Sequence, residues 1–218
     1  MENVVICLVD VGKRYGDAQI LESIKLDFQQ GNIYGLVGRN GSGKTVLMKI
    51  ICGLIFPTEG KVIIRGKELG KDMDIPDNFA AIIEQPGFLS NYSAYHNLLF
   101  LSKIKGKIGK KEILETLKLV GLEKDASKKV GKYSMGMRQR LGLAQALMED
   151  PEVLLLDEPM NGLDDMGVSE MRSVLKQFGQ MGKTIIISSH NREDIELLCD
   201  YVYRLDKGRI IEWEKGGQ

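Results

Sequence analysis

Apolar and polar residues alternate over positions 24–28, where Ile24, Leu26 and Phe28 are separated by Lys25 and Asp27. Successive side chains of a strand point to opposite faces, so this spacing predicts a half-buried strand. Positions 4–11 are apolar-rich and read as another strand, followed at 13–17 by a turn carrying one aromatic, Tyr15. Unbroken apolar runs at 33–37 and 153–156, and a run over 184–190 that ends in polar groups, predict strands buried on both faces of a parallel sheet. Further strands are expected at 62–65 and 80–84, and a hairpin at 201–205 and 209–213 around Asp206, Lys207 and Gly208.

Elsewhere the period changes. Leu47, Ile50, Ile51 and Leu54 fall at helical spacing, as do Ile113, Leu114, Leu117 and Val120, and Met137, Leu141, Ala144 and Met148. Ser93 can cap a helix that runs to about position 102. Helices are also expected at 168–178 and 192–199. Strands alternating with helices predict an α/β domain with a mostly parallel sheet. The predicted organisation is one domain over 1–218. Residues 1–85 and 151–218 form the core together with an antiparallel β subdomain, and 86–150 form a helical insert. Ligands of such sheets bind at the carboxyl ends of the strands. Gln85, Asp157, Glu158 and His190 fall at such ends.

So does the most informative stretch, Gly38-Arg39-Asn40-Gly41-Ser42-Gly43-Lys44-Thr45, which lies between a predicted strand and a predicted helix. Backbone N–H groups of a tight loop, with the free N–H groups of a helix N-terminus, form a nest for a polyphosphate. Gly38, Gly41 and Gly43 permit the close approach that a β-carbon would block. Lys44 supplies a point charge to the β- and γ-phosphates, and Thr45 a hydroxyl to Mg²⁺.

Asp157 follows four apolar residues, a pattern that suits an acidic Mg²⁺ ligand. The adjacent Glu158 can orient or deprotonate an attacking water. His190 can hydrogen-bond a γ-phosphate or serve structure alone. Gln85 can reach Mg²⁺ or the water. Tyr15 offers a face for adenine or packs as a turn aromatic.

Composition narrows the picture less. Lys plus Arg and Asp plus Glu both total 30, so no bulk electrostatic case for nucleic acid or an anionic membrane follows. Cys7, Cys52 and Cys199 show no Cys-x-x-Cys spacing and read as small core residues of a reducing cytosol. The N-terminal residues do not read as a signal peptide, and no run of about 18 apolar residues suggests a membrane span. Any membrane component is therefore expected on another chain.

The stretch Tyr133-Ser134-Met135-Gly136-Met137-Arg138-Gln139-Arg140-Leu141, upstream of Asp157-Glu158, resembles the signature loop of the ATP-binding subunits of ABC transporters. Gln85 is similar to the family's glutamine loop, and Asn161-Gly162-Leu163-Asp164 to the loop after its acidic strand. His190 is similar to its switch histidine, and Tyr15 to its adenine-stacking aromatic. The resemblance implies a P-loop NTPase fold with a RecA-like core sheet. Tyr133, Met135 and Met137 replace the first, third and fifth residues of the usual Leu-Ser-Gly-Gly-Gln, while Ser134 and Gly136 remain. Met160 is bulkier than the residue usual before Asn161. The Ser-x-Gly-Met pattern and residues 83–88 resemble the bacitracin-resistance and antimicrobial-peptide export branch.

That resemblance implies an ATPase whose two copies pair head to tail. Each ATP, with Mg²⁺, would lie between the phosphate loop of one copy and Ser134 and Gly136 of the other, with Asp164 alongside. A separate transmembrane permease is the implied partner, and the inner face of the cell membrane the implied cytoplasmic location. Phe88, Leu89, Tyr92 and Tyr95 form a candidate docking cluster for it. A non-transport ABC ATPase acting on nucleic acid or the ribosome stays open as an alternative, as does an ATP-sensing module. Balanced charge and a single compact insert weigh against the first, and intact Lys44, Asp157, Glu158 and His190 against the second.

Overall fold

The computed structural model of the chain describes residues 3–84 and 87–215, the side chains of 213–215 apart. In chain order its elements are β1 (Val4–Tyr15), β2 (Ala18–Gln29), β3 (Ile33–Val37), α1 (Lys44–Ile51), β4 (Glu59–Ile64), β5 (Lys67–Glu68), β6 (Phe79–Ile82), α2 (Ala94–Lys105), α3 (Lys110–Leu119), α4 (Met135–Leu147), β7 (Val153–Asp157), α5 (Asp165–Gln180), β8 (Thr184–Ser188), α6 (Arg192–Leu198), β9 (Tyr201–Asp206) and β10 (Arg209–Lys215). One sheet has the order β10-β9-β3-β8-β7-β6 and is parallel from β9 to β6, with β10 antiparallel at its edge. The second, β2-β1-β4-β5, is antiparallel throughout. The helices α2, α3 and α4 fall between β6 and β7 in the chain. The fold is thus the expected α/β arrangement with an antiparallel companion sheet.

The unbroken apolar runs are explained by burial on both faces. Leu154, Leu156, Ile185 and Ile187 face a core shared with Leu141, Met171 and Leu175. Val153, Leu155 and Ile186 face another, shared with Phe28, Tyr34, Leu47 and Ile50. Met160, bulky for its place, is buried in the first of these cores. Among the described residues no helix is long and apolar enough to cross a membrane. Cys52 and Cys199 are buried and Cys7 partly so, all three as free thiols. Burial, with help from the neighbouring Asp27, pushes the Cys7 thiol up to about 11.

Several boundaries differ from the periodicity. β1 continues through Tyr15, and the turn shrinks to Gly16 and Asp17, because Arg14 and Tyr15 pair with Gln19 and Ala18. Register shifts between Leu8 and Arg14 break the two-residue period there, which hid the strand. Helix α1 stops at Ile51 rather than near Leu54, since Gly53 turns the chain at φ 77°. Helix α2 runs on to Lys105 and ends at Gly106 in the left-handed conformation. β6 ends at Ile82 and β8 at Ser188, each earlier than expected. Helices α4 and α5 begin earlier than their apolar faces do, capped by Ser134 and Asp164.

An aromatic cluster fastens the two sheets together. Phe28 of β2 meets Tyr34 of β3 edge-on at 4.8 Å and Tyr203 of β9 at 5.7 Å. The Tyr34 hydroxyl accepts from the Gln29 N–H at 2.6 Å, and the Tyr203 hydroxyl donates to the Asp27 carbonyl at 3.1 Å. Phe28→Ala is expected to cost about 3–5 kcal/mol of stability. Urea unfolding should show this as a lowered midpoint with an unchanged slope.

Candidate nucleotide site

The parallel register brings the carboxyl ends of three strands level. Leu36 of β3 and Asp157 of β7 both lie beside Ser188, the last residue of β8. The chain leaves β3 into the glycine-rich loop, and α1 starts directly at Lys44. Glycine is required at two points in that loop. A β-carbon on Gly38, at φ 157°, would lie 2.3 Å from the Leu205 carbonyl oxygen. One on Gly43, at φ 107°, would lie 2.7 Å from a Leu21 methyl. The loop is therefore pressed against β9 and β2, with no room for side chains at those points.

The cradle carries the marks of an anion site. Gly43, the residue before α1, offers no side-chain cap, so the helix N-terminus keeps free N–H groups. Lys44 is buried, and its Nζ donates to the carbonyls of Gly38 at 2.8 Å and Arg39 at 3.3 Å, coiled back inside its own loop. The Ser42 hydroxyl is buried and has no hydrogen-bond partner among the described residues. A buried hydroxyl of this kind is costly unless a ligand completes it. Arg39, Asn40 and Gly41 form the exposed rim.

Next to the loop, Thr45 Oγ1 donates to Asp157 Oδ2 at 2.7 Å. The other Asp157 oxygen accepts from the Ser188 hydroxyl. Two hard oxygens from Thr45 and Asp157 suit Mg²⁺, which takes few protein ligands and fills its shell with phosphate and water. Among the described residues no group of three or more His, Cys, Asp or Glu side chains could hold a metal.

Glu158 has a positive φ of 50°, a strained conformation for such a residue. Its N–H is held by Ser188, at 3.0 Å from the hydroxyl and 3.2 Å from the carbonyl. Its carboxylate accepts from His190 Nδ1 at 2.8 Å. Two residues separated by 32 positions thus meet at the strand ends. Such a pair can take a proton from water and hold the acceptor in place.

Tyr15 is 52% exposed, at the tip of the β1–β2 hairpin that backs the loop, with Lys13 Nζ 5.1 Å from its ring centroid. The ring is thus half exposed, with one cation over it. Gln85 lies outside the described residues. Its neighbour Glu84 is tied to Lys49 of α1 at 2.6 Å, and that carboxylate holds the Lys49 ammonium above its usual range.

Ser134 and Gly136 lie at the start of α4, against the 161–164 loop. Ser134 caps α4 by accepting from the Met137 N–H at 3.2 Å. A β-carbon on Gly136 would lie 2.8 Å from the Gly162 carbonyl, so α4 abuts the 161–164 loop. Asp164 caps α5, accepting from the Gly167 N–H at 3.0 Å. The departures in this region have physical roles. The Tyr133 hydroxyl donates to the Asp125 carbonyl at 2.8 Å, and burial pushes it up to about 12. Met135 covers the left-handed Gly162, and Met137 packs on the helical core. A cavity of about 930 Å³ shares Gly38, Arg39 and His190 but lies on the α6 side, lined by Ile195 and Leu205.

Sequence reasoning missed Ser188 as a site residue. Its hydroxyl serves Asp157 and Glu158 together, and only the strand register places it there. It also missed Gln139, whose Nε2 donates to the Pro159 carbonyl at 3.0 Å and ties α4 to the residue after Glu158.

Comparison with known proteins accords with this geometry. A family profile described as ABC transporter matches residues 21–161. The chain is 44% identical over 211 residues to the ABC transporter ATP-binding protein YybJ of Bacillus subtilis (strain 168), covering 97% of each. It is 42% identical to the bacitracin transport ATP-binding protein BcrA of Enterococcus faecalis, covering 95% of this chain and 68% of that one. Among solved structures, a dimeric post-hydrolysis state of the ATP-binding cassette MJ0796 bound to ADP and Pi superposes with a TM-score of 0.86 at 26% identity, covering 98% of this chain and 99% of that one. Glycine cradle, paired strand-end acids and near full-length identity agree: the chain belongs to the ABC transporter family, as an ATP-binding subunit.

Proposed function

We propose that this ATPase subunit works as a head-to-tail pair that closes on ATP and drives a separate permease in export. The observation that carries the reading is the Glu158–His190 contact at 2.8 Å, beside a glycine cradle with an orphaned Ser42 hydroxyl. Gly38 to Thr45 bind the phosphates, with Arg39 and Asn40 at the rim and Tyr15 stacked on adenine. On binding, Lys44 exchanges its bonds to the loop carbonyls for the β- and γ-phosphates. Thr45, Asp157 and Gln85 would hold Mg²⁺, which neutralises phosphate charge when bound. Glu158 takes a proton from the attacking water as the water oxygen bonds to phosphorus and ADP leaves with the bridging oxygen. A carboxylate can only accept, so His190 donates to it through Nδ1–H, and a hydrogen bond from Nε2 to the phosphate requires an N–H there as well.

In this reading residues 86–150 form the lobe that delivers Ser134 and Gly136 to the partner copy's nucleotide, with Asp164 at the same face. The free N–H groups of α4 then meet the γ-phosphate. The similar protein BcrA carries the name of a bacitracin transport protein, which supports an antimicrobial peptide or other hydrophobic cargo. The subunit would sit at the cytoplasmic face of the membrane, held by its permease.

The docking cluster divides in two. Phe88 and Tyr95 pack on the helical core, while Leu89 and Tyr92 are exposed. Tyr92 stacks edge-on with exposed Phe100 at 5.1 Å, beside a cavity of about 610 Å³ lined by Tyr92, Tyr95, His96 and Leu114. Leu89 and Tyr92 are therefore the residues offered to the permease.

Glu158→Gln should lower turnover by about 10²–10⁴-fold while trapping an ATP-bound dimer, seen as phosphate release against gel filtration. Rapid turnover by a stable dimer of that variant would remove Glu158 from its role. Lys44→Ala should weaken ATP binding by about 10–100-fold, the worth of a charge-assisted hydrogen bond. Ser134→Ala should leave monomer binding intact yet suppress ATP-driven dimerisation; calorimetry and light scattering separate the two. Single cysteines at positions 89 and 92 should cross-link to a co-expressed permease, whereas one at buried position 98 should not.

A further inference from the structure

We propose that Arg172, Asp194 and Ser189 form a positioning network that sets the geometry of His190; it rests on the role given to His190 above. The histidine needs such a device. Its side chain is 68% exposed, lies beyond the end of β8, and has Glu158 as its hydrogen-bond partner among the described residues. An exposed side chain with one contact samples several rotamers unless the backbone that carries it is held.

The two residues flanking His190 are held by one hydroxyl. Ser189 is buried, and its Oγ accepts from the Asn191 N–H at 3.0 Å, which closes the backbone into an arch with His190 at its crown. The same Oγ donates to Asp194 Oδ2 at 3.0 Å. Asp194 is 2% exposed, and its other oxygen accepts from Arg172 Nε at 2.8 Å and Nη2 at 2.6 Å. Both carboxylate oxygens and the serine hydroxyl are thereby engaged. Arg172 also reaches Glu193 at 3.0 Å, so one guanidinium grips the first turn of α6 at two adjacent acids.

The origin of the arginine matters as much as its contacts. Arg172 belongs to α5, whose first residues follow the loop from Glu158: the Asn161 N–H bonds the Glu158 carbonyl at 3.2 Å, and Asp164 caps the helix. Between Asp164 and Arg172 the helix rises about 12 Å at ~1.5 Å per residue, as a rigid strut. One end of α5 thus holds the Glu158 loop and its third turn holds the arch of His190. The short Glu158–His190 contact is set by one helix, from its first turn and its third. A buried ion pair adds little stability over apolar residues of the same volume, but it fixes direction. Direction is what a base and its hydrogen-bonding partner require, because a misplacement of about 1 Å costs about 10²-fold in rate.

The test is steady-state ATPase activity and nucleotide affinity of the purified full chain carrying Ser189→Ala, Asp194→Asn or His190→Ala, and of the double variants S189A/H190A and D194N/H190A. Ser189→Ala and Asp194→Asn should lower kcat by about 10-fold to 100-fold, with KM and ATP affinity unchanged. In the His190→Ala background each should add less than about twofold, since they act through the histidine. Should Asp194→Asn fail to fold, Ser189→Ala and the apolar pair R172M/D194L carry the test; the apolar pair should keep its melting temperature and still lose kcat. Full kcat in Ser189→Ala or R172M/D194L would overturn the proposal, and so would losses that multiply with that of His190→Ala. Wild-type turnover in His190→Ala alone would instead overturn the role of the histidine, and the network with it.

Discussion

The hydrogen bond from Thr45 to Asp157 is the constraint on which the site depends. It joins the first turn of α1 to the end of β7, two elements 112 residues apart in the chain. For it to form, β3, β8 and β7 must lie side by side in parallel and in one register. A shift of one residue would move Asp157 to the other face of the sheet and exchange every apolar contact of β7 between the two cores. Burial on both faces therefore protects the register, and the register sets the chemistry. The hydrophobic sheet and the phosphate site are one construction seen from the middle and from the end.

Around this bond the polar groups form a short chain of dependence. Ser188 serves Asp157 with its hydroxyl proton and Glu158 with its lone pairs. Glu158, turned outward by its positive φ, meets His190. The loop that follows leads through Gly162, against which α4 and Met135 pack, to Asp164 and α5. A displacement at the start of α4 has a contiguous path to Glu158, through Gln139 and Pro159. In the reading proposed above, hydrolysis coupled to contact with a second copy would use such a path, and tight packing makes it stiff.

Much of this was legible before any coordinates. The double-faced apolar runs state a local requirement, and the two cores meet it. Local reasoning failed where the period broke. The bulges of β1 concealed a strand that reaches Tyr15, and polar caps hid the first turns of α4 and α5. Tyr133 reads as an oddity in the motif until its hydroxyl is seen to reach Asp125. Phe88, Leu89, Tyr92 and Tyr95 read as one surface, yet Phe88 and Tyr95 pack on the helical core while Leu89 and Tyr92 are exposed.

The amino-acid sequence by itself marked the residues that a phosphate and a metal would require, because those demands fall on neighbours: a β-carbon too many in the loop, or a hydroxyl missing after the lysine, is a local fault. It also indicated that the core sheet is mostly parallel and doubly covered, through its unbroken apolar runs and the alternation of strands and helices. Only the tertiary structure decided which distant groups act together. Ser188 with Asp157, His190 with Glu158, and Arg172 with Asp194 and Ser189 are pairings of strand register and helix packing. Hydrogen bonds act over about 3 Å, and nothing in the order of residues along a chain encodes a distance that short between positions so far apart.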